Sequence, residues 1–221
     1  MASYVITGAT RGIGRCVLDA LGDKHEITAI GRSAPALAAL PVAHRVVADL
    51  WDPAGLAAAF DALPERLDGL VHCAGVAVRG DLADSSVAEW NRELAINVVS
   101  AAELTRLLLP ALRAARGTVV FVNSGQGRRA TANSTVYAAT KFALRAVADT
   151  LREEEPDLRV STVYPGRVAT DMQQALRAQE GGAYEPDSYL AAETVAAAVV
   201  SVLGSPPDSV VTDLILRPRS R

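Results

Sequence analysis

Two hydrophobic patterns alternate along this chain. Nearly continuous runs of Val, Ile and Leu occupy 3 to 7, 26 to 30, 43 to 48, 67 to 72, 117 to 123, 158 to 163 and 210 to 216. Strands buried on both faces have that character. Between them lie Ala- and Leu-rich stretches with helical spacing, at about 12 to 22, 53 to 62, 87 to 114, 135 to 154 and 190 to 203. The alternation predicts βαβ units: an α/β fold with a doubly wound parallel sheet of about seven strands and helices on both faces. Residues 170 to 189 break the rhythm with Gly181, Gly182 and Pro186, directly after a strand end. Ligands of open α/β sheets bind beyond the carboxyl ends of the strands, so this insertion is placed to act as a lid within a single domain, 1–221.

Composition narrows the classes. A length of 221 residues suits one domain with a full core, and 50% hydrophobic with 21% charged residues is a globular balance. The net charge of -3 is spread without a basic block, which predicts no nucleic-acid partner and no anionic membrane partner. Arg217, Arg219 and Arg221 read as a solvated tail. Cys16 and Cys73 fall in a predicted helix and a predicted strand, implying no disulfide framework. His25, His44, His72 and the cysteines lack metal-ligand spacing, so no metal is expected. Without a basic leader or an uninterrupted apolar run of roughly 18 residues, the expected location is the cytoplasm.

Chemistry enters with Tyr137 and Lys141, four residues apart on one face of a predicted helix, and Ser124 thirteen residues before the tyrosine. A fixed cation near a phenol, whose ordinary pKa is ~10, favours the phenolate and makes an acid/base group. By itself such a spacing is common. The run Tyr4-Val5-Ile6-Thr7-Gly8-Ala9-Thr10-Arg11-Gly12-Ile13-Gly14 adds a glycine turn between a strand and a helix. There Gly8 permits a tight backbone, Gly12 close approach of a pyrophosphate, and Gly14 close packing of helix on strand. The spacing differs from the commoner G-x-G-x-x-G fingerprint.

Taken together, these motifs resemble the single-domain short-chain dehydrogenase/reductases, over essentially the whole chain. The family pattern TGxxxGxG stands here as Thr7, Gly8, Gly12 and Gly14. Asp49-Leu50 matches its adenine-side motif, and His72-Cys73-Ala74-Gly75 partly matches its Asn-Asn-Ala-Gly. Pro165-Gly166-Arg167-Val168-Ala169-Thr170 is similar to PGxVxT, and Asn97, Ser124, Tyr137 and Lys141 stand in the order of the catalytic tetrad.

The resemblance implies a Rossmann-type fold and a nicotinamide cofactor held by Gly8, Thr10, Arg11, Gly12, Ile13 and Gly14, with Asp49 and Leu50 at the adenine. Ala74 and Gly75 would line the adenosine half, while Tyr137, Lys141, Pro165, Gly166, Val168 and Thr170 would surround the nicotinamide side, the Thr170 hydroxyl reaching a phosphate. It also implies Tyr137 as proton donor to a carbonyl, with Lys141 lowering its pKa. Ser124 would hydrogen-bond the substrate oxygen, and Asn97 would hold a water that links Lys141 to solvent.

Cofactor choice rests on charge. Where NAD-specific enzymes usually end the second strand with an acid, this chain has Gly31-Arg32-Ser33. Arg32 and Arg11, with a hydrogen bond from Ser33, suit the 2'-phosphate of NADP(H). The expected substrate is a small ketone, aldehyde or secondary alcohol. Met172, Leu176, Tyr184 and Tyr189 would supply an apolar wall, and Arg128 or Arg129 could attract an acidic substrate. An NADP(H)-sensing regulator on the same fold is the alternative, and a broken tetrad would be its signature. Family-like faces on the helices at 87 to 114 and 135 to 154 imply a homodimer or homotetramer.

Overall fold

A computed structural model describes residues 1–60 and 62–219. Seven parallel strands form one sheet: β1 (Ser3–Thr7), β2 (Glu26–Gly31), β3 (His44–Val47), β4 (Gly69–His72), β5 (Thr118–Val122), β6 (Arg159–Pro165) and β7 (Asp213–Leu216), in the order β3-β2-β1-β4-β5-β6-β7. The predicted strands are all present. In the central strands successive residues feed opposite cores, as the pleat demands: Ile6 and Val120 enter one, Val5, Val119 and Phe121 the other, whereas the edge strands β3 and β7 are partly exposed.

Helices α1 (Gly12–Leu21) and α7 (Ala192–Leu203) cover the first core through Val17, Leu18, Val195 and Val199. On the other face, α4 (Ser100–Ala115) and α5 (Thr135–Glu154) bring Leu104, Leu108, Leu112 and Leu144. Full burial of each such leucine contributes about 1.5–3 kcal/mol. By length and composition Val87–Ala115 could pass for a membrane span, but its leucines are committed to this core.

The structure departs from the sequence pattern in four places. Residues 53 to 62 are not an α-helix: they make two 3₁₀ turns, Pro53–Gly55 and Ala57–Ala59, and residue 61 lies outside the described residues. The alanines favour helix, but Leu56 is fully buried and pins the turn to the core, Phe60 is extended, and Pro64 disfavours helix at the residue before it. The long helix at 87 to 114 is divided into α3 (Val87–Leu94), a π turn (Ala95–Val99) and α4. A short α2 (Ala34–Ala38) follows β2, capped by Ser33. Finally, the insertion at 170 to 189 is more ordered than a loop, because Thr170 caps α6 (Asp171–Gln179).

Strand order reverses between β1 and β4, so the loops after these two strands diverge and leave a crevice at their carboxyl ends. The turn after β1, the segment after β4, the loop after β5, the first turn of α5 and α6 all border it.

Candidate active site

The glycine turn shapes one side of the crevice. Gly8 and Gly12 have φ of 67° and 55°, conformations side chains rarely adopt. A Cβ on Gly8 would lie 2.9 Å from the Ala74 backbone, and one on Gly14 would lie 2.4 Å from the Gly8 carbonyl. A Cβ on Gly12 would reach to 3.5 Å from the Thr170 methyl across the gap. No side chain caps the first turn of α1, leaving its N–H groups for an anion. The Thr7 hydroxyl accepts from the Cys73 and Ala74 N–H groups (3.2 and 3.1 Å), tying β1 to the β4 loop. These features fit the pyrophosphate of a dinucleotide. Ile13, Ala74, Gly75, Pro165, Gly166, Val168 and Thr170 line a cavity of about 630 Å³ together with Ser124, Tyr137 and Lys141. Thr10 packs behind, its methyl 3.4 Å from the Cβ position of Gly31.

Besides the glycines of the turn and Thr10, five expected cofactor residues are not in the cavity wall: Arg11, Arg32, Ser33, Asp49 and Leu50. Arg32, Ser33 and Asp49 are exposed, and Leu50 leans on the core. The Ser33 hydroxyl accepts from Ala36 N at 3.3 Å, and Asp49 accepts from Trp51 N at 3.0 Å. Arg11 faces Asp171 of the lid at 3.6 Å. The Thr170 hydroxyl, expected at a phosphate, accepts from Gln173 N and donates to the Val168 carbonyl.

The four tetrad residues converge from three directions. Ser124 follows β5, Tyr137 stands in the first turn of α5, and Lys141 lies one turn on with its Nζ 5.7 Å from the Tyr137 ring centre. Lys141 is only 4% exposed, and its protein partner is the Val122 carbonyl at 3.3 Å. Asn97 sits in the π turn, where the widened backbone turns its amide inward. Its Oδ1 accepts from Val76 N at 2.8 Å, while Nδ2 donates to the Val76 carbonyl and the Thr140 hydroxyl (2.9 and 3.1 Å). In this structure Asn97 is therefore a clamp between the β4 loop and α5.

Burial changes the expected acid. It pushes the Tyr137 phenol up to about 12, and the Ser124 hydroxyl beside it works in the opposite direction. The same loss of water lowers the Lys141 ammonium to about 8. Tyr137 therefore rests as the neutral phenol at neutral pH, the form that can give up a proton. His72, at the family's asparagine position, is buried against Phe121 with ring centres 4.9 Å apart, and burial brings it down to about 3. The Thr105 hydroxyl donates to the Ala101 carbonyl, so neutral His72 donates to it from Nε2 at 2.9 Å. Burial pushes the Cys73 thiol up to about 12, which makes it an inert neighbour.

Several residues at this site escaped the sequence pattern. Glu93 is 1% exposed; its Oε1 accepts from Val78 N at 2.9 Å, its Oε2 has no partner, and burial raises it to about 7 against the pull of Lys141. The signal was available: Glu93 and Asn97 are four apart, the spacing that had singled out Tyr137 and Lys141. Arg79 reaches from the β4 loop to Glu180 at 2.7 Å and also donates to the Ser134 hydroxyl. Only tertiary structure brings Gln173 and Arg217 to the wall. Arg217 and Arg219 are exposed, as a solvated tail would be, although the Arg217 guanidinium lies over Gly125; Arg221 lies outside the described residues. Of the expected wall, Met172, Leu176 and Tyr189 line the cavity, and Tyr184 stacks behind Tyr189. Arg129 also lines it, whereas Arg128 turns to Asp213 and Tyr164.

Comparison with known proteins agrees with this geometry. Residues 3–181 match the family model for short chain dehydrogenase. An uncharacterized oxidoreductase of Schizosaccharomyces pombe is 32% identical over 182 residues, covering 78% of this chain and 73% of its own. Dehydrogenase/reductase SDR family member 7B of Bos taurus is 33% identical over 83% of this chain, which spans 63% of that relative's length. A solved structure from Beutenbergia cavernae with bound NADP is 26% identical, with a TM-score of 0.84, covering 98% of this chain and 95% of that one. With the seven-stranded parallel sheet and the family match over most of its length, the chain belongs to the short chain dehydrogenase family of oxidoreductases.

Proposed function

We propose that this chain is an NADP(H)-dependent carbonyl reductase, moving hydride between nicotinamide and a ketone or aldehyde, or a secondary alcohol in reverse. The convergence of Ser124, Tyr137 and buried Lys141 on the wall of one cavity, beside the glycine turn, carries this reading. The bound cofactor supplies the hydride. Tyr137, protonated at rest, gives its proton to the substrate oxygen. The phenolate left behind forms next to the Lys141 ammonium, in a site where burial strengthens their attraction, so the stabilisation arises as the reaction proceeds. Ser124 donates to the same oxygen as charge develops there. Asn97 holds the β4 loop and α5 together beneath these groups.

Cofactor preference rests on Arg32. No carboxylate ends β2, and the exposed guanidinium of Arg32 is free to meet a 2'-phosphate, with Arg11 swinging from Asp171 to assist. The similar structure, described as NAD(P) dependent and holding NADP at low occupancy, is compatible with this choice. Exposed apolar side chains on the two long helices, Val99 and Phe142, support a homodimer or homotetramer.

A panel of aldehydes, ketones and diketones tests the reading through oxidation of NADPH followed at steady state. Turnover of carbonyl compounds with NADPH preferred over NADH is expected. Tight NADPH binding with no turnover on any compound would make the chain a redox sensor instead.

A further inference from the structure

The cavity wall carries four arginines, Arg79, Arg129, Arg167 and Arg217, besides Lys141, and no Asp or Glu among its described residues. Nearby acids offset this charge only in part: Glu93 lies behind the wall, near enough to Lys141 for their charges to interact. Arg79 and Arg167 share a single carboxylate, Glu180, with Arg177, and one carboxylate cannot neutralise three guanidiniums. Asp213 is engaged by Arg128, and among the described residues the Arg217 guanidinium has no carboxylate partner and donates to the Leu216 carbonyl.

Position separates these cations from the cofactor. The place for a pyrophosphate is the glycine turn at α1, and the place for a 2'-phosphate is the end of β2. Arg79 instead holds Ser134 at the start of α5, and Arg217 packs on Gly125, next to Ser124. Arg79 stands near enough to Tyr137 for its charge to favour the phenolate. Because the Ser134 hydroxyl accepts from Arg79, it does not cap α5, and the positive end of that helix adds to the field.

Two donors at this wall also lack acceptors. Arg79 Nε and Gln173 Nε2 are buried with no hydrogen-bond partner, and Gln173 is 6% exposed. Buried N–H groups without acceptors are uncommon in folded proteins and call for an explanation, of which a bound ligand is one.

We propose that the substrate is an oxo acid, or in reverse a hydroxy acid, whose carboxylate is bound by Arg79, Arg129 and Gln173 while its carbonyl lies at Ser124 and Tyr137. The reacting half of this assignment rests on the carbonyl reductase reading. The anion half stands on the arginines and the unmatched donors. Arg129, in no ion pair among the described residues, can meet a carboxylate through two parallel bonds, while Arg79, its terminal nitrogens held by Ser134 and Glu180, adds charge and its Nε.

Two measurements on the full chain test it. In the first, pyruvate, acetoacetate and levulinate are each compared with their methyl esters as substrates in the presence of NADPH. At least one acid should exceed its ester by tenfold or more in kcat/KM. That preference should shrink in roughly 1 M salt, where the screening length falls to about 3 Å, and in Arg129→Gln. In the second, butyrate and butyramide are titrated calorimetrically into the NADP-saturated protein, with butyrate binding at least about tenfold tighter and losing that advantage in Arg79→Gln. Should Arg79→Gln fail to fold, Arg129→Gln, which disturbs no ion pair, takes its place. Equal binding of butyrate and butyramide, or esters turned over as well as acids in all three pairs, would overturn the anion site and leave the reductase standing. Selective butyrate binding with no turnover of any carbonyl compound would uphold the site and sink the reductase reading.

Discussion

Lys141 and Arg32 both place a positive charge near the carboxyl edge of the sheet, yet their surroundings are opposite. Lys141 is 4% exposed, held by the Val122 carbonyl and flanked by Tyr137, Asn123 and Glu93. Arg32 is exposed at the end of β2, ahead of a short helix capped by its neighbour Ser33. At the buried end, loss of water displaces the titration of Tyr137, Lys141 and Glu93, and each group depends on the next. Around Arg32 the side chains keep their water and are independent. The proposed chemistry is therefore locked into the packing, while the charge proposed to choose the cofactor lies on a replaceable surface.

The sharpest way to break this contrast is Tyr137→Phe. Loss of the hydroxyl should lower kcat by at least about a hundredfold, since a positioned acid contributes 10²–10⁴-fold, while NADPH binding measured by fluorescence survives. Retained turnover would remove Tyr137 as the acid.

Glu93→Gln probes the same buried end through stability. The folded state holds the Glu93 proton up to about 7, against an ordinary value of 4.5. Between those values the unfolded chain has released a proton that the folded chain keeps, so stability falls as pH rises from about 4.5 to 7, by up to roughly 3 kcal/mol. The substituted amide would keep the Val78 bond and carry no charge, flattening that decline in urea unfolding midpoints. A variant with the same slope as the parent would show that Glu93 is not the group responsible. The window lies below that of Lys141, which keeps the two titrations apart.

At the exposed end, Arg32→Asp should move the NADP/NAD ratio of kcat/KM toward NAD(H) by about tenfold, the equivalent of ~1.4 kcal/mol, with Tm unchanged. A constant ratio would take Arg32 out of cofactor choice. Phe142, adjacent to Lys141 but 41% exposed on the outer face of α5, yields the smallest energetic change. Phe142→Glu should cost under about 1 kcal/mol of protomer stability and turn a dimer or tetramer into a monomer by light scattering. A parent chain that is already monomeric would end the claim of assembly.

What could be read from the sequence follows the same division. Strands buried on both faces announce themselves as unbroken apolar runs, which made the central strands legible, and the partly exposed edge strands β3 and β7 were legible from shorter apolar stretches. The Ala-rich segment at 53 to 62 misled because propensity is weak beside the demand to bury Leu56. Tyr137, Lys141 and the glycine turn were legible because their geometry is local. Arg79, Gln173 and Arg217 were not, since they meet only when the β4 loop, the lid and the segment after β7 close on one another. Arg217 keeps the exposure of a tail residue, and nothing local signals its place over Gly125.

The π turn at Ala95–Val99 has a consequence for how this chain tolerates deletion. Such a turn accommodates one residue more than an α-helix of the same span. Removing a residue there would relax the segment into ordinary helix, leaving α3 and α4 in their places and Leu104, Leu108 and Leu112 facing the core. The same deletion within α4 would rotate that stripe off the sheet. A lineage could thus shed Asn97's clamp in a single step and keep its fold, which makes this turn the place where catalysis and folding come apart most readily.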